Sequence, residues 1–165
     1  EIANVYKHST SDLDVQFNIY GKLPDKRDLY FMELQNLVEN YELESIVNFK
    51  GYYESVAIYK EIDLLIHTST QEAFGRIYIE AMAMGVPVIT VKGGGALELI
   101  KNGENGFLID IDNPKGFVCK AEDLITDENL YRKVVKNGVI FSKKFRSDLI
   151  SSKVEDYYNT ILNAK

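Results

Sequence analysis

Two carboxylates eight residues apart, Glu72 and Glu80, bracket the start of a helix in Glu72-Ala73-Phe74-Gly75-Arg76-Ile77-Tyr78-Ile79-Glu80. Glu72 belongs to the loop that leaves the apolar run Asp63-Leu64-Leu65-Ile66. Glu80 sits in Ile77–Met84, a segment otherwise apolar on nearly every side. A helix apolar all round is a buried helix, and a carboxylate in it needs hydrogen-bond donors. The backbone of Phe74, Gly75 and Arg76 forms the expected helix N-terminus, whose free N–H groups and positive dipole end suit an anion. Carboxylates suit the hydroxyls of a sugar and the N–H groups suit phosphate; a nucleotide sugar carries both. The plainer alternative is an exposed Arg76–Glu80 pair at i,i+4 spacing with Glu72 a solvated loop acid.

The elements around these residues are legible as a strand–helix–strand unit. Asp63–Ile66 is long enough for a buried strand. Val86-Pro87-Val88-Ile89-Thr90-Val91 is a second, and Gly93-Gly94-Gly95 follows it. Ligands of such units lie beyond the carboxyl ends of the strands, so loops 68–75 and 92–96 should share one crevice. Before this unit, Ile2–His8 reads as the end of a helix. Val15–Tyr20 reads as a strand ending at Gly21, and Pro24 to about Tyr41 as a helix with an apolar stripe through Leu29, Met32, Leu34, Leu37 and Val38. Ile46–Phe49 is a strand closed by Gly51, and Glu54–Ile62 a short helix. After the unit, a brief helix at 96–100 and turn chemistry at 102–106 lead to a strand at 107–109. Helices then run over about 114–126, 128–143 and 148–163. Strands alternating with helices predict an α/β fold, a Rossmann-like doubly wound parallel sheet, with a helical C-terminal tail.

The 165 residues are one domain's worth. A net charge of −6 argues against a nucleic-acid partner held by a basic face. One cysteine and two histidines build no His/Cys metal cluster; Cys119, in a helical stretch, reads as core filler. No signal segment or apolar run of membrane-spanning length is visible, and the cytoplasm is the expected compartment.

Glu72, Glu80, the run Ala81-Met82-Ala83-Met84-Gly85-Val86-Pro87-Val88-Ile89 and the turn Gly94-Gly95-Ala96-Leu97-Glu98 together resemble the donor-binding half of the retaining GT-B glycosyltransferases of the family-4 type. The likeness covers roughly residues 15–165 and is most specific over 66–110. It implies that residues 1–165 are a single nucleotide-sugar-binding domain, one half of a GT-B fold. The first strand of that half and an acceptor-binding N-terminal domain are expected outside the sequence read here. It implies transfer of a sugar from a nucleoside diphosphate sugar with retention, with no metal or other cofactor in this domain. Any membrane association, peripheral at the inner face, is expected through the other half.

The resemblance assigns Glu80 to the ribose hydroxyls and Glu72, the candidate catalytic residue, to the donor sugar. Phe74, Gly75 and Arg76 would act through backbone N–H groups. The Phe74 side chain reads equally as core and Arg76 equally as an outward residue. Gly94 and Gly95 would let the backbone approach sugar or phosphate. Gly21 and Lys22 open on the same crevice, although Leu23 stands where the family often has a second glycine. Tyr52, after the next strand, is placed to stack on a base. Glu98 stands where the dinucleotide fingerprint G-x-G-x-x-G would need its last glycine, which argues against a dehydrogenase. Asp110-Ile111-Asp112 imitates a metal-binding D-x-D but falls in a polar turn before Pro114. Tyr157 and Tyr158 read as core and rim of the last helix. Two other functions remain open at this point: a nucleotide-sugar epimerase of similar two-half architecture, and a non-catalytic α/β binding module.

Overall fold

A computed structural model describes residues 1–9, 12–21, 29–53 and 55–163. Lys22 and the expected helix start at Pro24-Asp25 lie outside the described residues. The elements run α1 (Ile2–Lys7), β1 (Phe17–Tyr20), α2 (Leu29–Asn40), β2 (Val47–Gly51), α3 (Ser55–Ile58), β3 (Leu65–His67), α4 (Arg76–Ala83), β4 (Val88–Val91), α5 (Ala96–Leu99), β5 (Phe107–Ile109), α6 (Pro114–Thr126), α7 (Glu128–Ser142) and α8 (Ser147–Asn163). A 3-10 turn at Lys143–Phe145, which periodicity does not signal, joins the last two helices.

All strand pairs are parallel. β3, β4 and β5 lie side by side with β4 central, in register Leu65↔Val88 and Ile89↔Phe107; β1 pairs with β2. Among the described residues the hydrogen-bonded ladder therefore comes in two pieces, where the alternation predicted one sheet. Every residue of β4 is buried, because helices cover both faces. Val88 packs with Tyr78, Ala81 and Met82 of α4, whereas Ile89 and Val91 pack with Phe117 and Leu124 of α6 and Val134 of α7. The continuous apolar run of β4 is what a strand buried on both sides requires. It also separates two cores, so α4 is clamped between β4 and α7 while α6 closes the other side.

Local signals set the helix ends. Pro114 stands at the first position of α6, and the Asn113 side chain accepts from Gly116 N–H. Asp127 caps α7 by accepting from the N–H groups of Asn129 and Leu130. At the end of α4, Val86 N–H donates to Ala81 O at 2.9 Å and Gly85 N–H to Met82 O at 3.1 Å, with Gly85 at φ +78°. That pair of bonds is a Schellman motif, and it turns the chain straight into β4.

Four expectations about burial change. The α2 stripe is only half covered: Leu34 and Val38 are partly buried, while Leu29, Met32 and Leu37 are exposed. Cys119 is exposed, since α6 turns Phe117, Val118 and Leu124 inward and leaves Cys119 on its other side. Tyr157 and Tyr158 are 66% and 62% exposed, and α8 has no buried residue. α4 is less enclosed than its composition implies: Tyr78, Ala81 and Met82 are buried, but Arg76 and Ala83 are exposed and Glu80 is half-buried.

Candidate active site

The two expected loops meet. Gly95 N–H donates to Glu72 O at 2.9 Å, tying the turn after β4 to the loop after β3. The glycines make this approach achievable. A Cβ on Gly95 would lie 2.5 Å from Phe74 O, and one on Gly94 would collide with Glu72 O. Gly94 and Gly95 thus accommodate protein backbone, a task the sequence did not reveal beside the ligand-facing one.

Glu72 is held at both ends. Its backbone is tied to Gly95, and its Oε1 accepts from Gly75 N–H at 2.8 Å, which satisfies one of the orphan donors at the start of α4. Of the three N–H groups expected to face a ligand, that of Gly75 is therefore engaged by the nearby carboxylate. Gly75 has φ +85°, a conformation that disfavours any side chain, and Tyr78 packs directly against it. Phe74 is 53% exposed and meets Phe145 edge-on at 6.3 Å between centroids, so its ring is not core. The ring's aromatic neighbour lies in the 3-10 turn after α7.

Among the described residues Glu80 has two partners. Arg76 Nη2 lies 3.4 Å from Oε1, an i,i+4 ion pair in which the arginine side chain is 82% exposed and the glutamate 31%. The pair from the plainer reading therefore exists, worth about 0.3–0.5 kcal/mol for an exposed helical pair. The second partner comes from elsewhere in the chain: Tyr59 OH donates to Oε2 at 3.2 Å. Burial, reinforced by the Glu80 charge and this hydrogen bond, pushes the Tyr59 phenol well above its ordinary range. Tyr59 was not identified from the sequence. The requirement for a donor to Glu80 was visible; its location 21 residues upstream was not.

Beneath the loop runs a buried chain that the sequence also hid. Thr90 Oγ1 donates to Tyr78 OH at 3.1 Å, and Tyr78 OH lies 2.9 Å from His67 Nδ1. Thr90 and His67 are register partners at the carboxyl ends of β4 and β3, so Tyr78 laces α4 to both strands. Burial lowers the His67 pKa, partly opposed by the Glu72 charge. Neutral His67 with its proton on Nε2 can accept a hydrogen bond from the Tyr78 hydroxyl at Nδ1.

The remaining candidates are more peripheral. Gly21 is exposed, and its N–H donates to Gly51 O at 2.9 Å. Tyr52, just past β2, is 78% exposed, and its neighbour Tyr53 meets Tyr20 edge-on. Asp110-Ile111-Asp112 forms the exposed turn between β5 and α6. Among the described residues no group of three or more His, Cys, Asp or Glu gathers to hold a metal ion, and no helix is long and apolar enough to cross a membrane.

The profile of the family described as glycosyl transferases group 1 matches residues 3–140. The chain belongs to that family. It is 30% identical over 164 residues to N-acetyl-α-D-glucosaminyl L-malate synthase of Bacillus anthracis, covering 98% of this chain and 42% of that protein. It is 31% identical over 150 residues to the capsular polysaccharide biosynthesis glycosyltransferase CapM of Staphylococcus aureus, covering 90% and 39%. Among solved structures, HepE of Anabaena in complex with UDP and glucose superposes with a TM-score of 0.84 at 28% identity, over 96% of this chain and 43% of that one. The C-terminal domain of the group 1 glycosyl transferase LpcC from Francisella tularensis superposes with a TM-score of 0.75 at 28% identity, over 88% and 77%. The chain thus spans less than half the length of the curated relatives it matches, and the group 1 transferase resemblance with its Rossmann-like half holds.

Proposed function

We propose that this chain is the donor-binding part of a retaining glycosyltransferase, and that a nucleoside diphosphate sugar binds where the loops after β3 and β4 meet. The observation that carries the reading is the junction itself. Glu72 is fixed between Gly95 and Gly75, and Glu80 lies about one turn into α4, the helix that follows, with a third of its side chain open to solvent. A half-exposed carboxylate held by a phenol and a guanidinium keeps lone pairs for a cis-diol, which it can bind by two charge-assisted hydrogen bonds. In this reading Glu80 takes the ribose and Tyr52 the base. The first N–H groups of α4 and the Gly93–Gly95 turn face the diphosphate, where negative charge grows as the sugar leaves. Glu72 has Oε1 engaged by Gly75, which leaves Oε2 for a sugar hydroxyl or for positive charge developing at the anomeric carbon. No metal is proposed for this part, and the acceptor is assigned to the rest of the protein. The cytoplasm is the proposed compartment. The complexes of HepE with UDP and with UDP-glucose support the ligand class.

The test is Glu80→Gln in the full-length protein. It removes the charge and one pair of acceptors while keeping the shape, so donor KM should rise about tenfold, from the loss of a charge-assisted bond, with the melting temperature nearly unchanged. An unaltered donor KM would sink the ribose role. Incubation with donor and no acceptor separates the epimerase reading, which predicts an isomerised sugar nucleotide.

A further inference from the structure

Glu80 is held by one mobile partner and one fixed one. Arg76 reaches Oε1 from an 82% exposed side chain at 3.4 Å, and a long exposed side chain holds no single geometry. Tyr59 is 6% exposed and belongs to the same packed cluster as Ala81, Met82 and Val86. Its hydroxyl lies 3.2 Å from Glu80 Oε2 and 3.3 Å from Ile77 O. The Ile77 carbonyl is a second acceptor within one turn of Glu80 on the same helix, so the single phenolic proton faces both, and the charged carboxylate is the stronger acceptor.

We propose that Tyr59 is a positioning residue, whose hydroxyl sets the Glu80 carboxylate in the orientation that receives the ribose diol. The inference rests on the donor-site reading above. Three rotatable bonds separate the Glu80 carboxylate from its backbone. Left to Arg76 alone, the carboxylate would sample several rotamers, only some of which place two free lone pairs side by side. With Tyr59 on Oε2 and Arg76 on Oε1, each oxygen retains an acceptor position, the number that two vicinal hydroxyls need. The phenol keeps its proton over the working pH range, since burial and the neighbouring charge both oppose ionisation, and so it remains a donor. Glu80 touches the ligand, and Tyr59 acts only through Glu80.

The experiment compares wild type, Tyr59→Phe, Glu80→Gln and the double variant of the full-length protein. Calorimetric titration would use UDP, GDP and ADP and their 2′-deoxy counterparts. Wild type should bind one ribonucleotide and prefer it to the deoxy form. Tyr59→Phe keeps every ring carbon and should weaken the ribonucleotide by about three- to tenfold while hardly changing the deoxy form, so the preference falls toward unity. Donor KM should rise with kcat little changed, and the double variant should be no weaker than Glu80→Gln. A Tyr59→Phe protein with an intact ribose preference overturns the proposal. So does one that loses both nucleotides equally or fails to fold, because the hydroxyl is then structural. Wild type that binds none of the three ribonucleotides removes the donor-site reading itself, a result distinct from binding with an unaltered preference.

Discussion

Replacing Gly75 by alanine tests whether the junction under Glu72 is as tight as the geometry requires. Gly75 has φ +85°, and a Cβ there would sit 2.5 Å from both Cδ2 and Cε2 of Tyr78 and 3.2 Å from Leu99 Cδ1. The ring cannot swing away freely, because Tyr78 is fully buried and its hydroxyl is bonded between Thr90 and His67. Two penalties therefore add. The left-handed backbone costs a non-glycine residue about 1–2 kcal/mol, and forcing a methyl group into a packed site costs about 1–3 kcal/mol more. Gly103 supplies the control: φ is +75°, yet nothing among the described residues lies within 4 Å of its would-be Cβ. Gly103→Ala should lose only the backbone penalty, about 1–2 kcal/mol, and Gly75→Ala about 2–5 kcal/mol. Urea unfolding followed by circular dichroism reads both, provided the m-value is unchanged. Because Gly75 N–H also holds Glu72 Oε1, donor affinity should fall in Gly75→Ala and not in Gly103→Ala. Equal destabilisation of the two variants would refute the packing argument.

Removal of the buried hydroxyl in Tyr78→Phe leaves Thr90 Oγ1 and His67 Nδ1 without their shared partner and should cost about 1–3 kcal/mol, readable in the same unfolding assay. His67 gives a pH signature. Its folded pKa lies below its unfolded value, so the folded state resists the proton, and the contribution is complete above about pH 6.5 and lost as pH falls through the folded pKa. Stability should decline on acidification from pH 7 to 5, and His67→Asn should flatten part of that slope; parallel slopes would contradict it. Asp127→Ala removes the side chain that caps α7 at Asn129 and Leu130 and should cost about 1 kcal/mol, shown as a lowered melting temperature. Exposed Cys119 should react with an aromatic disulfide reagent in the native protein as completely as in urea; protection in the native state would show that α6 is rotated.

What the chain alone determined was local and periodic. The strand at Phe107–Ile109 and the helix at Pro114–Thr126 coincide with their expected bounds, because proline, a capping asparagine and a strict apolar pattern act within a few residues. The order of elements and the meeting of the loops at Glu72 and Gly95 also followed, since parallel strands joined by a short helix leave few arrangements. Tertiary structure decided the partners. Apolar spacing gives α2 and α8 a stripe, but coverage depends on a facing surface, and Leu29, Tyr157 and Tyr158 have little. Glu80 needed a donor from the outset, yet only packing brings Tyr59 to it, and only packing makes Tyr78 the link between β3, β4 and α4. Gly94 and Gly95 are legible as a turn, whereas the backbone they admit at Glu72 and Phe74 is set by how the two loops dock. Hydrogen bonds and close contacts between residues distant in the chain leave no period in the sequence, and it is these contacts that orient the carboxylates.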